Sequence, residues 1–245
     1  LMIKKIIFQK ITFHNIQKKD FSRHIKQKKL FVFPSGSGIP LIAEDKKYYL
    51  SLKKADYVFF DSGFFVLLLN ILKNIKVNKF SGFKFLYIFF NYLKKNKNKK
   101  IFCIDPNPAF SKSNKIYLKK IGIKKIYSYV APNYKASNLV DKKLIKKINK
   151  AKPDYILTNI GGGIQEILGL YLKKNLKNKT TIICTGGAIS FFTGDQAPIN
   201  KLIDKIYLGW LLRLIFNPLL FYKRYLYALR LFPMVLFNKV KAVNG

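Results

Sequence analysis

The chain has 245 residues, of which 49% are hydrophobic, and its formal net charge at pH 7 is +36. This length is enough to bury a sizeable core, so we expect one large domain, or one domain with an appendage, that folds without disulfides. No run of about 18 apolar residues lacks charges, so no transmembrane helix is predicted. The apolar stretch near the N-terminus is too short and too interrupted to predict a signal peptide.

The positive charge comes almost wholly from lysine, because only four of the 47 basic residues are arginine. A field of this sign attracts anionic partners such as nucleotide diphosphates and acidic lipid headgroups. A lysine-rich nucleic-acid-binding protein is one alternative interpretation. However, the lysines are spread along the chain and no recognised nucleic-acid motif occurs, so no specific nucleic-acid partner is expected.

The two cysteines, Cys103 and Cys184, each lie in a strand-like apolar run. Disulfides form and persist mainly in oxidising compartments, and short apolar strands are usually buried. The pattern therefore predicts two buried, reduced thiols and a cytosolic protein.

The first informative loop follows a weakly patterned segment, residues 1–29, to which we assign no strand or helix; the histidines there are interpreted as surface residues. Leu30–Phe33 reads as a short strand, and the small residues of Pro34–Gly38 follow it. Such a loop brings backbone N–H groups close to a ligand, which makes Ser35 and Gly36 candidate binding residues. The alternative is a plain turn, since the loop lacks the lysine and the spacing of a P-loop.

One carboxylate, Asp61, interrupts a long apolar run. Tyr57–Phe60 is predicted as a strand that ends at Asp61, and Phe64–Leu72 as a buried helix. Open α/β sheets place their chemistry at the carboxyl ends of strands, and burial there raises the pKa of a carboxylate towards the range of a general base. The alternative is that Asp61 only caps the following helix.

A second unit joins a strand, Asp154–Ile160, to three successive glycines and a helix that opens at Ile164. Glycines allow a ligand to approach the backbone, and the helix N-terminus offers free N–H groups. The alternative is that the glycines only permit a tight turn. The candidate ligand-binding residues of this unit are Gly162, Gly163, Gln165 and Glu166.

A third unit repeats the theme: a strand, then Thr185, Gly186 and Gly187 as candidate binding residues, then an apolar helix. Strands that alternate with helices in this way predict an α/β fold with a mostly parallel sheet and its sites on the loops between strands and helices.

The pattern changes at Gln196, after which the sequence is predicted to be helical, with breaks at Pro218 and Pro233. Residues 196–245 hold eight basic residues against one acid. We therefore divide the chain into an α/β core, residues 1–195, and a basic amphipathic helical appendage, residues 196–245, of a kind suited to a membrane surface.

Three of the four arginines lie in this appendage: Arg213, Arg224 and Arg230. In a chain that otherwise uses lysine, this placement indicates a need for the planar guanidinium fork, as for binding a diphosphate. The alternative is a helical lid that packs on the core and keeps its charges in solvent.

Four motifs in order, ADYVFFDSG, PDYILTNIGGGIQE, IICTGGAISFFTGDQAP and GWLLRLIFNPLLFYKRYL, resemble the WecG/TagA/CpsF glycosyltransferases over about residues 31–225. The resemblance implies a Rossmann-like α/β core with helices on both faces of the sheet and a C-terminal appendage that associates with the membrane. It implies inverting, metal-independent transfer of an N-acetylmannosamine-type sugar from a UDP-sugar to a polyprenyl-diphosphate-linked sugar, in capsule, exopolysaccharide or cell-wall biosynthesis.

The resemblance also implies that no cofactor is needed, that the protein is cytoplasmic and peripheral on the inner face of the cell membrane, and that it forms homo-oligomers. The family's catalytic aspartate falls on Asp61, its glutamine on Gln165, and its appendage arginines on Arg213 and Arg224. Ser35 is the nearest equivalent of the family's Thr or Asn after the first strand. Departures include Asp-Ser-Gly in place of Asp-Gly, and they concern the donor sugar more than the reaction type.

The residues agree with the resemblance on one further point, because no Asp-x-Asp motif occurs to hold a metal. Arginine, lysine and helix N-termini would then stabilise the diphosphate leaving group. Another Rossmann-type enzyme, for example a nicotinamide-dependent one, is the remaining alternative. The absence of GxGxxG after the first strand argues against it.

Overall fold

The computed structural model describes residues 3–16, 21–195 and 218–244. Within these ranges nine strands form one sheet: β1 (Ile3–Phe8), β2 (Ile11–His14), β3 (Leu30–Val32), β4 (Tyr57–Phe59), β5 (Lys100–Asp105), β6 (Lys125–Val130), β7 (Tyr155–Thr158), β8 (Thr181–Cys184) and β9 (Val240–Asn244). Their order in the sheet is β6-β5-β7-β8-β3-β4-β2-β1-β9. All neighbours from β6 to β2 pair in parallel, whereas β1 pairs antiparallel with both β2 and β9.

Helices connect these strands. They are α1 (Phe21–His24), α2 (Lys46–Lys53), α3 (Gly63–Lys73), α4 (Gly82–Lys95), α5 (Pro108–Lys120), α6 (Lys142–Ala151), α7 (Ile164–Asn175), α8 (Ser190–Thr193), α9 (Pro218–Ala228) and α10 (Leu231–Phe237). Short 3₁₀ turns occur at Ile39–Ala43, Ala136–Asn138 and Gly186–Ile189. The predicted α/β fold with a mostly parallel sheet is confirmed.

The central strands are buried on both faces, which explains why their sequences are nearly continuous apolar runs. Successive residues of one strand belong to different hydrophobic clusters: Leu30 and Val32 pack in one cluster and Phe31 in the other. The first cluster includes side chains of α2, α3, α6, α7 and α10, and the second includes side chains of α4 and α5. Two helical layers therefore enclose the sheet.

The N-terminal segment, for which no strand or helix is predicted, forms the β1–β2 hairpin. Ile6, Phe8, Ile11 and Phe13 alternate along it and are fully buried. The surface interpretation of the histidines is wrong for His14, whose Nδ1 accepts a hydrogen bond from the Val58 backbone N–H at 3.3 Å. Burial lowers the pKa of His14 to about 4.

The end of the chain also differs from the prediction, because residues 240–244 form strand β9 rather than a helix. β9 pairs with β1 over nearly its whole length, for example Ile6 with Ala242. The β-branched residues Val240 and Val243 favour this extended pairing. In the described ranges no helix is long and apolar enough to cross a membrane.

Both cysteines lie within the sheet, Cys103 on β5 and Cys184 on β8. Both are buried and neither forms a disulfide, as predicted from the sequence. Burial raises the pKa of each thiol above its usual value. The thiols therefore stay protonated and behave as small apolar groups.

Gly169 sets how closely α7 approaches the sheet. A Cβ at this position would stand 2.7 Å from Cys184 Sγ and 2.9 Å from Leu30 Cδ1. We predict that Gly169→Ala lowers the free energy of unfolding by about 1–3 kcal/mol through overpacking, even though alanine favours helix by up to about 1 kcal/mol.

Urea denaturation checks this prediction. The matched control is Gly161→Ala, because a Cβ at Gly161 would have no heavy atom within 4 Å. Equal stability of Gly169→Ala and the wild-type protein would contradict the close approach of α7.

Candidate functional site

Asp61 lies two residues after the end of β4, at the carboxyl edge of the parallel sheet. It is half-buried, and its Oδ1 accepts a hydrogen bond from the Gly82 backbone N–H at 2.8 Å. Gly82 is the first residue of α4, so the N-terminus of that helix fixes the carboxylate in place.

The helix cap proposed as an alternative role for Asp61 belongs to its neighbour. Ser62 is the N-cap of α3, and its Oγ accepts a hydrogen bond from the Phe65 backbone N–H at 3.1 Å. The cap of α4 is likewise a serine, Ser81. Asp61 is therefore not the residue that starts the helix after it.

The Pro34–Gly38 loop lies against Asp61-Ser62. A Cβ on Gly36 would stand 2.8 Å from Ser62 Oγ, so only glycine fits here without a shift. Ser35 is exposed, and its Oγ accepts a hydrogen bond from the Gly38 backbone N–H at 3.1 Å. Two of the predicted segments are thus brought together at the ends of β3 and β4.

Gln165 and Glu166 lie in the first turn of α7 and are almost completely buried. Glu166 Oε2 accepts a hydrogen bond from the Gly163 backbone N–H at 2.7 Å, and Glu166 Oε1 accepts one from Gln165 Nε2 at 3.1 Å. Gly163 has φ +91°, a conformation that favours glycine. The carboxylate therefore ties the glycine turn to the helix and orients the Gln165 amide.

Burial, with a smaller contribution from the negative charge of Asp61, raises the pKa of Glu166 to about 7. This electrostatic effect indicates that the two carboxyl groups lie in one site. Near pH 7 a substantial fraction of Glu166 is protonated, so the pair does not hold two full negative charges.

Thr185 and Gly186 complete the edge after β8. A Cβ on Gly186 would stand 3.3 Å from Gln165 Nε2, and one on Gly82 would stand 3.3 Å from the Thr185 side chain. The Thr185 turn therefore lies between Gln165 and the helix that holds Asp61. The other predicted glycines, Gly162 and Gly187, are exposed at the same edge.

Sequence reasoning missed Tyr48. This α2 residue is 1% exposed, and its hydroxyl lies 2.9 Å from where a Cβ on Gly38 would stand. Burial raises its pKa well above the usual value, and the charges of Glu166 and Asp61 raise it further. The next residue, Tyr49, is also a tyrosine, so the sequence alone does not indicate which of the two lies at the site.

Three buried polar atoms around these residues have no hydrogen-bond partner: Tyr48 Oη, Gln165 Oε1 and Thr185 Oγ1. A buried polar atom left unsatisfied costs roughly 1–3 kcal/mol. Native proteins keep such atoms mainly where a ligand, water or ion completes them. The edge is therefore equipped to hydrogen-bond a polar ligand beside a fixed carboxylate.

The C-terminal helix α9 packs next to this edge. The methyl group of Ala228 lies 3.9 Å from where a Cβ on Gly36 would stand. Arg224 is exposed and precedes Ala228 by four residues, so the two share one face of α9. Arg230 instead forms an ion pair with Glu44, while Tyr227 Oη donates to the same carboxylate at 2.6 Å. Arg213 lies outside the described residues.

Metal ligands are not grouped in the described ranges. No set of three or more His, Cys, Asp or Glu side chains there is placed to hold a metal ion. The polar groups at the edge are instead amide, hydroxyl and carboxyl groups, which can bind sugar hydroxyls and amides through hydrogen bonds.

Comparison with known proteins identifies the family. The model of the glycosyl transferase WecG/TagA/CpsF family matches residues 5–244, nearly the whole chain. No curated protein matches. The family match spans all three strand-to-helix units of the site and helices α9 and α10. The chain therefore belongs to the WecG/TagA/CpsF family of glycosyltransferases and is an enzyme of sugar transfer.

Proposed function

We propose that the protein is an inverting, metal-independent glycosyltransferase that moves an N-acetylmannosamine-type sugar from a UDP-sugar to a polyprenyl-diphosphate-linked sugar in cell-surface polysaccharide biosynthesis. One arrangement carries the proposal: Asp61 is fixed at the carboxyl edge beside Glu166 and three unpartnered buried polar atoms. A half-buried carboxylate next to groups that bind hydroxyls is what a base acting on a sugar needs.

In this mechanism Asp61 accepts the proton of the acceptor hydroxyl as its oxygen attacks the anomeric carbon. The bond from that carbon to the diphosphate breaks on the opposite face, so the configuration inverts. The Gly82 N–H holds the carboxylate in one orientation, which reduces the reorganisation needed in the transition state.

The leaving diphosphate needs positive charge. We assign this role to Arg224, which shares a helix face with Ala228 at the Gly36 loop, and to Arg213 of the appendage. The N-terminus of α7 adds backbone N–H groups at the same edge. We also keep the division of the chain at residue 196 as part of the proposal, with the difference that residues 240–244 belong to the sheet of the core as β9. The carboxylate then lies on the core and the two arginines on the helical part.

Glu166 serves as a neutral hydrogen-bonding group in this scheme. Its pKa of about 7 keeps a proton available near Asp61. A second full negative charge there would repel the diphosphate. Glu166 also holds the Gln165 amide through its nitrogen. The Gln165 Oε1 atom, which has no hydrogen-bond partner, can then accept a hydrogen bond from the sugar.

Peripheral membrane association is supported by a surface that we call the docking face. It consists of the exposed apolar side chains of α3, α9 and α10 and of the turn between α9 and α10, which account for nine of the thirteen exposed large hydrophobic residues in the described chain: Leu67, Ile71, Leu219, Tyr222, Leu226, Leu229, Phe232, Leu236 and Phe237. α10 packs on α3, and Lys73 Nζ donates to the Leu236 carbonyl at 3.0 Å. α3 and α10 therefore present their apolar residues together.

A basic groove adjoins the docking face. It has a volume of about 600 Å³ and is lined by Lys10, Lys73, Lys239 and Lys241, with no acidic residue among its lining residues. Apolar side chains bordered by lysines are typical of surfaces that bind anionic bilayers. An acceptor carried on a lipid would be reached from such a surface.

The first prediction from this proposal concerns the base. Asp61→Asn keeps the shape of the side chain and its hydrogen bond to Gly82 but cannot take a proton. We expect the rate of sugar transfer to fall by about 10²- to 10⁴-fold with the thermal melting temperature unchanged.

Transfer from a panel of UDP-sugars to a lipid-diphosphate-sugar measures this. The control is Asp154→Asn, at the amino end of β7, where the carboxylate pairs with Lys99. Full turnover by Asp61→Asn would refute the base assignment.

The second prediction concerns pH. The pKa of Glu166 rises from 4.5 to about 7 on folding, so between these values the native state keeps a proton that the unfolded chain releases. The carboxyl group therefore lowers stability as pH rises through this window, by about 3 kcal/mol in all. Glu166→Gln stays neutral, so its stability relative to wild type should rise by that amount between pH 4.5 and 8.

Urea denaturation at a series of pH values checks this, with Glu44→Gln as control. The pKa of Glu44 is lowered by the Tyr227 hydrogen bond, so its carboxylate is charged in both states above pH 5. Parallel stability curves for Glu166→Gln and wild type would show that Glu166 is not protonated at neutral pH.

The third prediction concerns the docking face. Leu67→Glu combined with Ile71→Glu places two charges on α3 at positions that are 51% and 68% exposed, so the fold should persist. We expect binding to vesicles that contain phosphatidylglycerol to weaken at least about tenfold, because each apolar side chain contributes roughly 1.5–3 kcal/mol when buried.

Cosedimentation with vesicles measures this, and Ile116→Glu on α5 is the control because it is 58% exposed on the other helical layer. Unchanged vesicle binding by the double variant would show that α3 does not contact the membrane. A change in its oligomeric state by light scattering would instead assign the face to contact between copies of the chain.

A further inference from the structure

A second polar cluster lies at the carboxyl edge, away from Asp61. Asp105 is the last residue of β5, and Asn159 follows β7, its parallel neighbour in the sheet. The Asn159 backbone N–H donates to the Ile104 carbonyl at 2.8 Å, so the two strand ends are held side by side. Asn114 of α5 completes the group, which we call the Asp105 cluster.

The Asp105 carboxylate organises the cluster. Its Oδ1 accepts a hydrogen bond from Asn114 Nδ2 and another from Asn159 Nδ2, each at 2.7 Å. Asp105 and Asn114 are fully buried, and Asn159 is 5% exposed. Both amides point their nitrogen atoms at one carboxylate oxygen, which fixes the orientation of their oxygen atoms.

Three oxygen atoms of the cluster have no hydrogen-bond partner: Asp105 Oδ2, Asn114 Oδ1 and Asn159 Oδ1. In the described ranges no lysine or arginine forms an ion pair with Asp105. Burial raises the pKa of Asp105, whereas hydrogen bonds from Asn159, Asn114 and the buried Ser111 of α5 act in the opposite direction. All three atoms can only accept hydrogen bonds while Asp105 is ionised. The missing partner must therefore supply O–H or N–H donors.

The cluster occupies a topological switch point of the sheet. The connection from β5 through α5 leads to β6 on one side, whereas the connection from β7 through α7 leads to β8 on the other. Open α/β sheets bind ligands in the crevice that such diverging connections leave. The exposed Gly161 and Gly162, just beyond Asn159, have open space around them for a ligand.

We infer that the Asp105 cluster holds the ribose of the nucleotide donor, with the 2′- and 3′-hydroxyls donating to Asp105 Oδ2 and Asn159 Oδ1. This inference rests on the proposed function, since it needs a nucleotide-sugar donor. A vicinal diol is the part of that donor with two adjacent hydrogen-bond donors.

The other parts of the donor match the cluster less well. A diphosphate has only acceptor oxygens and negative charge, so Asp105 would repel it. The edge of a uracil offers one N–H between two carbonyl oxygens, which would face the acceptors of the cluster. A carboxylate at a strand end that binds ribose hydroxyls beside a glycine-rich turn is also a common solution in nucleotide-binding sheets.

The distance along the sheet suits this placement. β5 and β4 are four strand spacings apart, roughly 19 Å at about 4.8 Å per strand. Gln165 and Thr185 follow the strands between them. A nucleotide-sugar can then extend from Asp105 across these residues, with its diphosphate in the middle and the acceptor hydroxyl between the anomeric carbon and Asp61.

Titration calorimetry of the full chain with UDP, 2′-deoxy-UDP and 3′-deoxy-UDP tests the inference. The wild-type protein should bind UDP about ten- to a hundred-fold more tightly than the deoxy analogue that lacks the hydroxyl bound to Asp105, because a hydrogen bond to a charged acceptor is lost. In Asp105→Asn, whose amide presents a donor at the Oδ2 position, the preference for UDP over that analogue should shrink to about threefold or less. Asp154→Asn is the matched control, because it makes the same change at the opposite edge of the sheet.

Retention of the full preference for UDP in Asp105→Asn overturns the inference and leaves the sugar-transfer proposal standing. Failure of the wild-type protein to bind UDP or to use any UDP-sugar overturns both. If thermal melting shows that Asp105→Asn does not fold, the same titrations are made with Asn159→Ala. This variant removes one acceptor of the ribose and leaves the carboxylate in place, so its preference for UDP should also shrink. An unchanged preference in that variant also counts against the inference.

Discussion

Burial of the central strands on both faces is the constraint on which the rest of this structure depends. Because no side chain of β3, β7 or β8 reaches solvent, polar groups are confined largely to the strand ends. The strands run in parallel, so their carboxyl ends lie on one edge, next to the N-termini of the helices that follow. Asp61, Gln165, Glu166 and Thr185 are distant in sequence but meet there for this reason.

The parts of the fold that could be predicted follow from this same constraint. Apolar runs that end in Asp-Ser-Gly, in three glycines or in Thr-Gly-Gly mark buried strands and their turns, so the sequence predicts the α/β architecture and places most of the candidate site residues at strand ends. Tyr48 was not readable, because its role depends on the approach of α2 to the Gly38 loop. The buried amide partners of Asp105 were hidden for the same reason, since Asn114 lies in a lysine-rich helix.

The errors lie at the edge of the sheet, where local pattern is weakest. The β1–β2 hairpin contains Lys4, Lys5 and Lys10, yet Ile6, Phe8, Ile11 and Phe13 are fully buried. The final strand was assigned to the preceding helical pattern, because Val240 and Val243 are too few to indicate a strand without their partner β1. In both cases tertiary pairing overrides a weak local preference.

The pairing of β9 with β1 joins residues that are more than 230 positions apart in the chain. Contacts of such high sequence separation close a very large loop, and the entropy lost in closing it slows folding. During synthesis the edge of β1 therefore lacks its partner until β9 has left the ribosome. Once it is in place, the helices before it are tethered at their far end to the sheet, so the apolar surface they carry is presented by a closed fold rather than by a loose arm.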